Sequence, residues 1–119
     1  ALQQMAADLG CVLLATAQIS RGVEQRDDKR PKMSDLKESG AIEEDADIVI
    51  LAYRPEYYLE RERPAEGSKN FDTWQRDYNL SRDRLDLIVG KNRDDQAGTA
   101  HMVFKTDSVR VEDEAPDDF

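Results

Sequence analysis

The chain has 119 residues, 26 of them Asp or Glu against 17 Lys or Arg, for a formal charge of −9, and only 39% are apolar. That is enough chain for one small domain, with a modest core or a large share of solvated loop. The single cysteine excludes an internal disulfide framework. No apolar stretch approaches the ~18–20 residues of a membrane span, and no basic region precedes the first apolar residues as a signal peptide would require. A cytoplasmic protein without a membrane partner is therefore expected.

The opening "ALQQMAADLG" places Leu2, Met5, Ala6 and Leu9 on one helix face, and Gly10 suits the helix end. No residue ahead of Ala1 serves as an N-cap, so the chain is expected to be part of a longer protein. "CVLLATA" (11–17) is apolar throughout, which fits a parallel strand covered on both faces, with Cys11 as a buried thiol. "DIVILAY" (47–53) has the same character, and the polar connection between the two runs is too long for a hairpin. Strand, crossover and strand outline an α/β sheet. A short helix is predicted within "DLKESGAIEEDA", capped by Ser34 or Asp35.

Residues 59–84 are highly charged and include Pro64 and Gly67, which reads as a surface insertion. A helix is expected around residues 71–80, where Trp74 and Tyr78 share a face and dock the helix on the domain. "DLIVGKNR" and "HMVFK" then form a hairpin through "DDQAGT", and "SVRV" adds a short strand. The acidic tail, residues 113–119, is expected to be disordered.

Chemistry-bearing patterns are sparse. The chain contains no G-x-x-x-x-G-K-[ST] run and no cluster of Cys or His for a metal. The lone histidine, His101, falls on a predicted hairpin strand and reads as a structural or surface residue. Residues 21–37 carry a net charge of +2 within an acidic chain. Such a stretch, beginning at Arg21, can meet phosphates, although a solvated loop of mixed charge has the same composition. Gln18 and Arg54 each follow an apolar run, at the strand end where open α/β sheets bind ligands. Lys91 and Arg93, two apart on an extended segment, share a face. An arginine lent to a neighbouring subunit's triphosphate is one use of that geometry; a plain surface pair is the other.

"ATAQISRGVEQRDDKRPKMSDLKESGAIEEDADIVILAYRPEYY" (15–58) closely resembles the carboxyl-terminal motor domain of bacterial replicative DNA helicases of the DnaB type, and "GKNRDDQAG" (90–98) matches more loosely. These are hexameric rings with a RecA-like ATPase fold. The resemblance implies that the chain, residues 1–119, is the carboxyl-terminal portion of such a domain: a partial P-loop NTPase sheet of parallel strands followed by an antiparallel hairpin. It implies that Gln18 senses the γ-phosphate, and that "DLKESG" lines the central channel, where Lys37, Glu38 and Gly40 contact the backbone of single-stranded DNA. Arg93 would be the arginine finger, assisted by Lys91. ATP and Mg would be the cofactors, with their binding motifs outside this chain, and single-stranded DNA, a homo-hexamer, primase and a helicase loader the partners. Alone, the chain would be inactive.

Three departures stand out. The hairpin reads Lys-Asn-Arg where the family has Lys-Gln-Arg, Asp94 and Asp95 lie beside the finger, and Lys37 replaces a common Arg. In the RecA-like strand order, residues 11–17 would also lie between strands this chain lacks. They are expected to rearrange, to pair with another copy, or to belong within a larger structure. The alternative to a helicase motor is a non-enzymatic nucleic-acid or subunit-interaction module derived from a RecA-like ATPase.

Overall fold

The computed structural model of the chain describes residues 2–36, 44–93 and 96–114. Four strands form one sheet in sequence order: β1 (Ile48–Tyr53), β2 (Arg84–Asn92), β3 (Gly98–Lys105) and β4 (Arg110–Asp113). Every pairing is antiparallel. The expected hairpin is β2–β3, and "SVRV" supplies β4. The predicted helix-bearing segment of residues 37–43, the hairpin residues 94–95 and the tail beyond residue 114 lie outside the described residues.

Helix α1 (Leu2–Leu9) ends as its sequence predicts. Gly10 adopts φ +63°, its N–H bonds to Ala7 O, and the Cys11 N–H bonds to Ala6 O. This paired closure satisfies two orphan carbonyls and needs a left-handed residue at position 10. The next seven residues depart from the covered strand and buried thiol that their composition predicts. Residues 11–17 pair with no strand among the described residues, and their side chains are exposed, including that of Cys11. Val12 is 95% exposed and Leu14 89%. An apolar run has strand propensity, but a strand exists only where a neighbour takes up its N–H and C=O groups. β1 pairs through one edge with β2, not with residues 11–17.

β1 also differs from the two-faced burial expected of it. Val49 and Leu51 are buried, whereas Ile48 and Ile50 are more than half exposed. The buried side packs on Leu36, with Ile19, Met33, Ala46 and Ile88 around it. One face of the sheet is thus covered by the connection from Ile19 to Leu36, which is built on two 3-10 turns, Arg21–Gln25 and Met33–Asp35.

Two carboxylates hold that connection in place. Asp35, inside the second turn rather than capping a helix, receives Arg26 Nη1 at 2.7 Å, Arg26 Nη2 at 3.0 Å and the Lys32 N–H at 2.7 Å. Its carbonyl accepts the Ser20 N–H at 2.6 Å, beside an isolated antiparallel bridge between Ile19 and Leu36. Asp86, on β2, is 1% exposed. It receives Arg30 Nη1 at 3.1 Å and pairs with His101 Nδ1 at 2.7 Å. Arg30 also bonds Thr99 Oγ1 and lies over the Tyr53 ring. Direct cross-strand pairing places Tyr53, Asp86 and His101 on one face, so Arg30 docks there as a unit. His101 has the structural role its position suggested.

Between Val49 and Ile50 the β1–β2 register slips by one residue, leaving Gly90 as the extra residue of a β-bulge. A Cβ on Gly90 would lie 2.7 Å from Met33 Sδ and 3.0 Å from Met33 Cγ. The bulge therefore has two functions: it kinks β2 just before Lys91, and its missing side chain admits Met33 from the covering connection.

Residues 59–84 contain the end of helix α2 (Pro55–Arg61) and all of α3 (Phe71–Ser81). Pro55 at the first helical turn suits a start there. The docking expected of Trp74 is present: its indole N–H donates to Leu59 O at 2.7 Å, and its ring stacks on Tyr78 with centroids 5.1 Å apart.

Two measurements check this architecture in the intact protein. Gly90→Ala is expected to lower stability by about 1–3 kcal/mol through overpacking against Met33. Combining it with Met33→Ala should cost less than the two changes summed, by thermal or denaturant unfolding; strict additivity would refute the contact. For Asp86, burial raises the carboxyl's pKa, but the hydrogen bonds from His101 and Arg30 outweigh burial and hold it below the ordinary aspartate value. The unfolded carboxyl thus takes its proton first as pH falls. The stabilisation is complete above pH ~4 and is lost as pH drops through the folded-state value. Asp86→Asn should cost about 2 kcal/mol at neutral pH and flatten the acid limb of the stability profile.

Candidate functional site

Gln18 is exposed at the rim of a hollow of about 220 Å³, which Arg21, Glu24, Pro31, Ala52 and Tyr58 also line. Contrary to the sequence expectation, it does not end a strand. Its position is instead set one residue on, where Ile19 bridges Leu36. That bridge places Gln18 one residue before, and Lys37 one residue after, a single pair of backbone partners. Lys37, Glu38 and Gly40 themselves lie outside the described residues.

The basic stretch from Arg21 is largely occupied internally. Arg26 is bound to Asp35, Arg30 to Asp86 and Lys29 to Glu62. The hydrogen bond with Glu62 raises the Lys29 pKa. Burial pushes the Asp35 carboxyl up, but Arg26 and the Lys32 N–H overcome that and leave it below the ordinary aspartate value. These charges fasten the connection to the sheet and to α2. Arg21 is exposed beside Gln18.

Arg54 follows β1 at the N-cap of α2, with its guanidinium 4.8 Å from the centroid of the Phe104 ring. Lys91 and Arg93 lie at the other end of β1, where Lys91 pairs with Val49. The Arg93 N–H donates to Asp47 O at 2.9 Å. Its guanidinium contacts Asp47 Oδ1 at 2.7 Å and Glu44 O at 3.1 Å. With a strand rise of ~3.3 Å per residue, Arg54 and Asp47 are on the order of 20 Å apart. The predicted site residues therefore form two groups at opposite ends of the strand: Gln18, Arg21 and Arg54 towards its carboxyl end, and Lys91 and Arg93 at its amino end. No group of three or more His, Cys, Asp or Glu side chains among the described residues could hold a metal ion, and no described helix is long and apolar enough to cross a membrane.

Sequence reasoning missed Asp35, Asp86 and Asp47 as organising groups. Asp86 had a visible signal, since an acid inside "RLDLIVG" must meet donors if the strand is buried. Asp35, read from sequence only as a helix cap, lies within the basic stretch of residues 21–37, and Asp47 ends the acidic run "EEDAD", where nothing marks one carboxylate from the next.

Comparison with known proteins places this geometry in context. Residues 1–113 match the family model of the DnaB-like helicase C terminal domain. The replicative DNA helicase DnaB of Rickettsia conorii is 43% identical over 103 residues, which is 87% of this chain and 21% of that protein. The replicative DNA helicase DnaC of Bacillus subtilis is 41% identical over 103 residues, again 87% of this chain and 19% of the relative. The chain thus spans about a fifth of the length of these curated relatives. Among solved structures, the ATPase domain of G40P superposes with a TM-score of 0.72 at 36% identity, covering 94% of this chain and 34% of that one. A DnaB-like replicative helicase, described with its interactions with primase, gives 0.71 at 37% identity over 94% of this chain and 23% of its own. These neighbours are RecA-like ATPase domains, the fold class that the α/β pattern and the resemblance led us to expect. On this evidence, the chain belongs to the DnaB-like helicase C-terminal domain family.

Proposed function

We propose that this chain is the carboxyl-terminal part of the motor domain of a hexameric, ATP-dependent replicative helicase that moves along single-stranded DNA and unwinds duplex. Kinship with proteins named replicative DNA helicases is the ground for this reading. The observation that carries it is the Ile19–Leu36 bridge, which joins the residue after Gln18 to the residue before Lys37. A motor needs such a link, because the phosphate detector and the DNA grip must move together.

Gln18 would act as the detector. Its neutral amide donates to a phosphoryl oxygen and accepts elsewhere, so its partners change when the phosphate leaves. The hollow beside it, about 220 Å³, is smaller than a typical small-ligand pocket. It fits the terminal phosphate end of a nucleotide whose remainder, with Mg, rests on other parts of the protein. ATP supplies the phosphoryl group when bound, and this chain's residues orient and read it. Lys37, with Glu38 and Gly40, would contact the DNA backbone, giving a sequence-independent hold.

Arg93, with Lys91 beside it, would serve the nucleotide of the adjacent subunit. The separation of Arg54 from Arg93 along β1 supports this assignment: two arginines so far apart cannot bond the same phosphate. One end of the strand then serves the protomer's own nucleotide and the other its neighbour's, as ring assembly requires. Primase and a helicase loader are the further partners we propose, the first because a structural neighbour is described together with primase.

Two substitutions in the full-length protein test this. Arg93→Ala should reduce DNA-stimulated ATP turnover by about a thousandfold, with nucleotide binding retained in a fluorescent-nucleotide titration. Normal turnover would remove the finger role. Lys37→Ala should weaken single-stranded DNA binding by about tenfold at moderate salt and reduce the salt slope by ~0.7, leaving DNA-free turnover unaltered. An unchanged affinity and slope would move the grip to other residues.

A further inference from the structure

Among the described residues, Arg93 is tied to residues 44–47 of its own chain by the ion pair to Asp47, the bond to Glu44 O and the backbone bond to Asp47 O. We propose that Asp47 is a positioning residue for Arg93. It holds the guanidinium in reserve against its own protomer and competes for it with the adjacent subunit's phosphate. The inference rests on the finger role proposed above and adds the group that regulates it.

The energetics suit a latch that exchanges. The Arg93 side chain is 42% exposed and that of Asp47 61%, so water and salt screen the pair. A pair of that kind contributes little to stability and exchanges partners readily. A buried carboxylate such as Asp86 would hold an arginine too firmly to release it. A terminal phosphate carries more charge than Asp47 and offers several acceptor oxygens in fork geometry, so it prevails when presented. Asp47 is also well placed to report the exchange. It directly precedes Ile48, the first residue of β1, and residues 44–47 follow the segment that we assign to DNA. Whichever acceptor holds Arg93 therefore changes the restraint on the chain leaving that segment. The coupling is reciprocal, so DNA that shifts residues 44–47 frees Arg93 for the neighbouring nucleotide.

The test uses the full-length ring. Asp47→Asn removes the competing charge at nearly constant size. It should raise DNA-free ATP turnover by about two- to fivefold, lower the DNA stimulation ratio by the same factor and leave the DNA-saturated rate within twofold. Asp47→Glu should restore the parental ratio, and Asp47→Asn/Arg93→Ala should behave as Arg93→Ala alone. A DNA-free rate and ratio unchanged in Asp47→Asn, while Arg93→Ala abolishes turnover, would overturn the latch and leave the finger standing. Normal turnover in Arg93→Ala would overturn both. A loss of thermal stability that Asp47→Glu does not recover, with the ratio unchanged, would mark Asp47 as a structural residue and also overturn the proposal.

Discussion

The arrangement depends on how Asp35 is satisfied. Its carboxylate takes both terminal nitrogens of Arg26 and one backbone N–H, while its carbonyl takes another N–H from Ser20. A two-nitrogen clasp on a carboxylate fixes direction as well as distance. That direction returns the chain at Leu36 to Ile19, the residue after Gln18. Without it, residues 21–35 would be a long charged loop, and nothing would fix the separation between the hollow and Leu36.

Asp86 and Gly90 extend the same logic to the sheet. Asp86 recruits Arg30 from the connection and His101 from the next strand, so three distant parts of the sequence share one buried charge. Gly90 lets Met33 sit where a side chain would otherwise stand. The covering layer is therefore attached to β2 at one point by charge and at another by shape. The second lies directly before Lys91.

Much of this was readable from residue types, and the failures have a common cause. The helix at residues 71–81, the β2–β3 hairpin, the last short strand and the Gly10 helix end follow from local chemistry: turn residues, aromatic spacing and left-handed backbone. Residues 11–17 and the two-sided burial of β1 depended instead on what lies beside them. "CVLLATA" has the composition of a strand but pairs with none among the described residues, and Val12 and Leu14 face water. The site followed the same division. Candidate residues could be named by motif, but Asp47, the carboxylate that pairs with Arg93, could not, because in a chain with 26 acidic residues a paired aspartate looks like any other.

The bulge in β2 has one more consequence. Strand faces alternate with a period of two, so an odd residue inserted into a regular ladder would turn every later side chain to the opposite side. At Gly90 that extra residue is already absorbed, and pairing resumes with Lys91 opposite Val49. The ladder there tolerates a change in length: excision of position 90 would leave Leu51 opposite Ile88 and Val49 opposite Lys91. Descendants of this chain can therefore vary the span between the buried charge and the end of β2 by one residue without inverting the strand, which makes this joint a natural place for evolution to adjust the length of that arm.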